Sequence, residues 1–124
     1  MITIDRAHEM LEQIAAEFPE EFFEDLNGGI SLLPQVKISP RAVRNDLYVL
    51  GEYRRDVMGR YIYIYFGSFQ RVHGHLSEEE FYEKLRSTVA HEFTHHLESL
   101  AGERGLEKKD EEDLWEYLRR SERP

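Results

Sequence analysis

Residues 77–100 decide the fold: Ser77-Glu78-Glu79-Glu80-Phe81-Tyr82-Glu83-Lys84-Leu85-Arg86-Ser87-Thr88-Val89-Ala90-His91-Glu92-Phe93-Thr94-His95-His96-Leu97-Glu98-Ser99-Leu100. Ser77 followed three residues later by Glu80 is a capping box, the signature of a helix start. Projected at 100° per residue, Phe81, Leu85, Val89, Phe93, Leu97 and Leu100 share one arc. Lys84, Thr88, His91, His95 and Glu98 fall beside it, and Glu92 lies between the two. The spacing predicts one long helix ending near Leu100, with one side anchored in a core and the other facing a cleft.

Within that helix, His91-Glu92-Phe93-Thr94-His95 has the form H-E-x-x-H. Four residues is just over one helical turn, so His91 and His95 project from the same face, about 6 Å apart along the axis. Two imidazoles so placed can grip one metal ion. Glu92 can reach a water on that ion without being a ligand itself. This is the zinc-hydrolase signature: two neutral imidazoles, a carboxylate base, and a water whose pKa the metal lowers to about 7. His96 falls on the apolar arc and reads as a buried, hydrogen-bonded residue rather than a ligand.

Working outward, the preceding segment carries the β signal. Leu47-Tyr48-Val49-Leu50-Gly51-Glu52-Tyr53 and Arg60-Tyr61-Ile62-Tyr63-Ile64-Tyr65-Phe66 are rich in β-branched and aromatic residues and flank a polar turn. They predict an antiparallel hairpin. Gly67 to Gly74 breaks the pattern. Towards the N-terminus, Ala7, Met10, Leu11, Ile14 and Phe18 predict a helix from Thr3 to Phe18, capped by Thr3 or Asp5. Pro19 to Leu26 predicts a short second helix, stopped by Asn27-Gly28-Gly29. Ile30 to Ile38, broken by Pro34, reads as an interrupted edge strand or extended loop. Beyond Gly102 and Gly105, Asp110 to Arg120 predicts a last amphipathic helix resting on Leu114, Trp115 and Leu118.

The chain has 124 residues, the size of one domain, read here as spanning 1–124. Its hydrophobic content of 40% and aromatic content of 12% are those of a globular protein. A net charge of −9 disfavours nucleic acid and anionic membrane as partners. Cysteine is absent, so disulfides are excluded and a zinc site must use His and carboxylate ligands. The N-terminus lacks a basic region followed by an apolar run, and no stretch approaches the roughly 20 apolar residues that span a bilayer. The expected location is the cytoplasm.

A catalytic zinc needs a third protein ligand and leaves a fourth position to water. Glu111 is the favoured candidate, with Asp110 and Glu112 close behind and Glu103 a further one. Glu98 shares the histidine face, but it lies one turn too far along a straight helix. The implied reaction is hydrolysis of an amide, with Glu92 taking a proton from water and delivering it to the leaving amine. His73, His75, Tyr82 and Tyr117 are available as oxyanion donors. The substrate, a peptide or protein, would add as a strand to a sheet edge, for which Tyr61 to Phe66 is the expected strand.

The block Thr88-Val89-Ala90-His91-Glu92-Phe93-Thr94-His95-His96, preceded by Leu50-Gly51 and Ile62-Tyr63-Ile64-Tyr65, resembles the small bacterial zincin-like metallopeptidases. The likeness runs from the first helix to the last. It implies an α+β fold with a small mixed or antiparallel sheet packed on the active-site helix. It also implies zinc held by His91 and His95, with Glu92 as base. Many members read H-E-x-x-H-x-x-G-x-x-D; this chain has Glu98 at the glycine position and Ala101 at the aspartate position. A catalytically inactive scaffold serving as a protein-binding module, or a metal-binding protein without hydrolysis, is the alternative expectation.

Overall fold

A computed structural model of the chain describes residues 1–42, 44, 47–104 and 115–120. Helix α1 spans Ile4–Glu17, with the Thr3 side chain accepting from the Arg6 amide at 3.1 Å. Its apolar stripe, Ala7, Met10, Leu11 and Ile14, is buried. Pro19 opens only a 3₁₀ turn, Glu20–Phe23, in place of the longer expected helix.

Three strands follow: β1 (Ile30–Leu33), β2 (Gly51–Asp56) and β3 (Gly59–Tyr65). The sheet order is β1-β3-β2, with β1 parallel and β2 antiparallel to β3. The expected hairpin is therefore present and the sheet is mixed. Its turn needs Gly59, whose φ of 117° is closed to most side chains. Asn27 fastens the turn by accepting from the Arg60 amide and donating to the Met58 carbonyl.

One expectation is corrected. The tyrosine-rich strand is β3, which lies in the centre of the sheet with both neighbours paired, so it offers no edge. The edges belong to β1 and β2.

The stretch Gly67 to Gly74, where the strand pattern breaks, is helical as far as His73: helix α2, Phe66–His73, also takes in Phe66, expected at the end of the strand. Gly67 serves close approach there rather than a break. A Cβ on it would sit 2.7 Å from the backbone of Gln35 and Val36. The helix thus packs directly on the segment that follows β1.

Helix α3 spans Glu78–Arg104. The capping box is formed: the Glu80 amide donates to Ser77 Oγ at 3.1 Å and the Ser77 amide to Glu80 Oε1 at 3.3 Å. All six residues of the expected apolar arc are buried, and the helix continues through Gly102. It packs on the inner face of the sheet, where Ile30, Leu32, Ile62, Ile64 and Tyr53 meet it and α1. Residues 115–120 are helical. Leu118 is buried, and Tyr117 joins Phe18, Phe22 and Phe93 in an aromatic cluster. The architecture is α+β. Among the described residues, no helix is long and apolar enough to cross a membrane.

Candidate metal centre and cleft

His91 and His95 both lie on the exposed face of α3. Their rings stand nearly perpendicular, at 85°, and their Nε2 atoms converge to 3.2 Å. Zinc–nitrogen bonds of about 2.0–2.1 Å at a tetrahedral angle put two ligand nitrogens roughly 3.3–3.4 Å apart. The pair as it stands is within about 0.2 Å of that spacing.

The orientation of His95 has a cause. Its Nδ1 lies 3.2 Å from Glu98 Oε1. A carboxylate accepts, so Nδ1 donates to it and, in the neutral ring, Nε2 is left to accept, here from the His91 Nε2–H at 3.2 Å. Glu98, a ligand candidate by its place on the histidine face, instead holds His95 from behind. Among the described residues, no group of three or more His, Cys, Asp or Glu could hold a metal ion. The favoured third ligand, Glu111, lies outside the described residues together with Asp110 and Glu112, and so does the side chain of Glu103.

Glu92 projects differently from the two histidines. It is only 5% exposed and turns towards the start of β2. A Cβ on Gly51 would come 3.2 Å from Glu92 Oε2 and 2.9 Å from Thr88 Cγ2. The bare backbone at Gly51 therefore sets how closely the sheet edge approaches α3, and the carboxylate sits against it. Between them opens a cleft of about 510 Å³, walled by residues 48–51 on one side and by Ser87, Thr88, His91 and Glu92 on the other. One histidine of the pair and the candidate base thus share one cavity.

Sequence reasoning passes over Tyr48, which lines this cleft. Its segment is pinned to residues 37–39: Ile38 bridges Tyr48, the Val49 amide donates to the Lys37 carbonyl, and the Ser39 amide donates to the Leu47 carbonyl. The four donors proposed from sequence are elsewhere. Tyr82 donates to Glu17 Oε2 and Tyr117 to the Glu17 carbonyl. Burial, reinforced by the bond to Glu17, pushes the Tyr82 phenol up to about 12. His73 packs on Phe69, where burial pushes its pKa down, and neither His73 nor His75 lines the cleft. The only forewarning of Tyr48 is its place a few residues before Gly51 in the same extended stretch.

His96 is fully buried, as its position on the apolar arc requires. Its Nε2 donates to the Glu24 carbonyl at 2.8 Å, which leaves Nδ1 to accept from the Tyr53 hydroxyl at 3.0 Å. It ties α3 to the sheet and to the turn after α1, and takes no part in the exposed pair.

No protein-family description matches the chain, and no curated protein matches it. Among solved structures it is similar to a conserved hypothetical protein from T. thermophilus, with 32% identity and a TM-score of 0.70. The likeness covers 82% of this chain and 99% of that one. At that identity, over nearly the whole of the other molecule, this chain belongs to the same family as that conserved hypothetical protein.

Proposed function

We propose that this protein is a minimal zinc-dependent peptidase or amidase, a zincin-like hydrolase in which His91 and His95 hold the metal and Glu92 is the general base. The observation that carries the proposal is the 3.2 Å convergence of the two Nε2 atoms beside a cleft that Glu92 also lines. Bound zinc supplies Lewis acidity: it polarises a carbonyl and acidifies water. Glu111, with Asp110 and Glu112 as its neighbours, is the third ligand proposed from sequence.

The chain's own residues do the rest. Glu92, largely shielded from solvent, accepts the proton of the attacking water and returns it to the leaving amine. Glu98 fixes the tautomer of His95. Tyr48 is the cleft residue with a phenolic hydroxyl suited to donate to the substrate oxygen. Tyr53, Tyr61, Tyr65, Tyr82 and Tyr117 already donate to protein acceptors. The substrate backbone lies along β2. The Leu50 carbonyl accepts from the Tyr65 amide, so by the antiparallel alternation the backbone groups of Gly51 point away from β3, towards the open edge.

The test is Glu92→Gln. Turnover of a peptide substrate should fall by about 10³-fold or more while zinc content stays at one per chain. Undiminished activity in that variant removes the mechanism. Full zinc content with no activity in the unmutated protein favours the alternative, a metal-binding scaffold without hydrolysis.

A further inference from the structure

The walls of the cleft carry information about what enters it. One residue in three of this chain is charged, 33%, and the net charge is −9. Yet the lining beyond His91 and Glu92 is Tyr48, Val49, Leu50, Gly51, Ser87 and Thr88, without one acidic or basic residue. The apolar part of this lining, Val49, Leu50 and the Tyr48 ring, extends past the rim. Ile38, 40% exposed, is the cross-strand partner of Tyr48, so the two side chains share one face of their ribbon. A charged surface interrupted by a partly apolar groove, in which Glu92 is the one carboxylate among the lining residues, marks where a ligand's own apolar group is desolvated.

Resting on the hydrolase reading above, we infer that the cleft selects substrates by a large uncharged side chain, aromatic or branched aliphatic, next to the amide that is cleaved. The volume of about 510 Å³ leaves room for such a side chain beside the substrate backbone. An acidic side chain set against the Val49–Leu50 wall would lose its hydration beside the shielded Glu92 carboxylate, with no Lys or Arg among the lining residues to pair with. A basic one would pair with Glu92 and occupy the base. Small side chains would leave the Tyr48–Ile38 surface wet. The substrate class is therefore an extended polypeptide segment displaying apolar residues, as an unfolded or unstructured chain does.

The experiment uses the zinc-loaded full chain in two arms. In the first, internally quenched peptides differ at one position only, carrying Leu, Phe, Ala, Asp or Lys. The expected cleavage rates favour Leu and Phe over Asp by about 100-fold or more. Ser87→Arg, which places a cation in the wall, should raise the Asp-to-Leu ratio at least about tenfold. In the second arm, amide resonances are followed during titration with N-acetyl-phenylalaninamide and with N-acetyl-aspartamide. Val49, Gly51 and Thr88 should move with the first probe and not with the second. Cleavage with a flat profile, or a ratio unmoved by Ser87→Arg, overturns the selectivity and leaves the hydrolase reading standing. Resonance shifts with the phenylalanine probe but no cleavage of any peptide overturn the hydrolase reading and leave the selectivity of the cleft. Neither shifts nor cleavage overturn both.

Discussion

Removing the Glu98 carboxylate separates its proposed supporting role from the role of ligand. Glu98 Oε1 lies 3.2 Å from His95 Nδ1, and the two side chains are 57% and 47% exposed. In Glu98→Ala, His95 is free to take either tautomer and to rotate, so part of its population no longer presents Nε2 towards His91. Loss of such a supporting carboxylate weakens metal binding by roughly 10–100-fold. Solvent competes freely at this half-exposed site, which places the effect at the lower end, about tenfold or about 1.4 kcal/mol. Glu98→Gln retains an oxygen that accepts from Nδ1, so it should weaken zinc binding by no more than about threefold. The assay is competition for zinc against a chromophoric chelator at neutral pH. An unchanged Kd in Glu98→Ala refutes the orienting role. A loss of about 10³-fold or more in both variants refutes it in the other direction, because that is the signature of a ligand.

Two further outcomes follow from neighbouring contacts. His96→Ala deletes a fully buried ring that bonds Tyr53 and the Glu24 carbonyl; it should destabilise the fold by about 2–4 kcal/mol in urea while zinc stoichiometry is unchanged, and loss of zinc without loss of stability would reverse the roles of the adjacent histidines. Lys37→Met tests the outer face of the sheet. Burial alone would raise the Glu52 carboxyl, but hydrogen bonds from Lys37 and Tyr65 outweigh it and hold Glu52 below its ordinary value of 4.5. A depressed folded-state pKa contributes stability above the unfolded value, lost as pH falls through the folded value. Stability should therefore decline below about pH 4.5 in the wild type and decline less steeply in Lys37→Met, with a difference of up to about 1 kcal/mol at neutral pH; equal slopes in acid unfolding would sink the assignment.

Much of the candidate site is legible in the sequence because it is local. Capping, apolar arc and histidine spacing all lie within one helix, where a period of 3.6 residues converts sequence distance directly into direction. The burial of His96 beside the exposed His95 follows from the same geometry. What sequence does not give is non-local. Strand order depends on which partners β3 finds, and its high aromatic content suits a centre as well as an edge, so sequence reasoning puts the open edge on the wrong strand. Gly67 reads as punctuation because a glycine needed for close packing and one needed for a turn look alike until the facing backbone, Gln35 and Val36, is known. Tyr48 escapes notice for the same reason: it reaches the cleft through pairing with Ile38, ten residues away and across Pro40.

Whether one helical turn presents two imidazoles to a single cation is decided by X-ray absorption at the zinc edge of the loaded protein, with elemental analysis of His91→Ala and His95→Ala alongside. One zinc per chain is expected, with scattering from two imidazole nitrogens at about 2.0–2.1 Å and loss of stoichiometric zinc in each variant. A zinc shell without imidazole, or full loading that survives both substitutions, would contradict it.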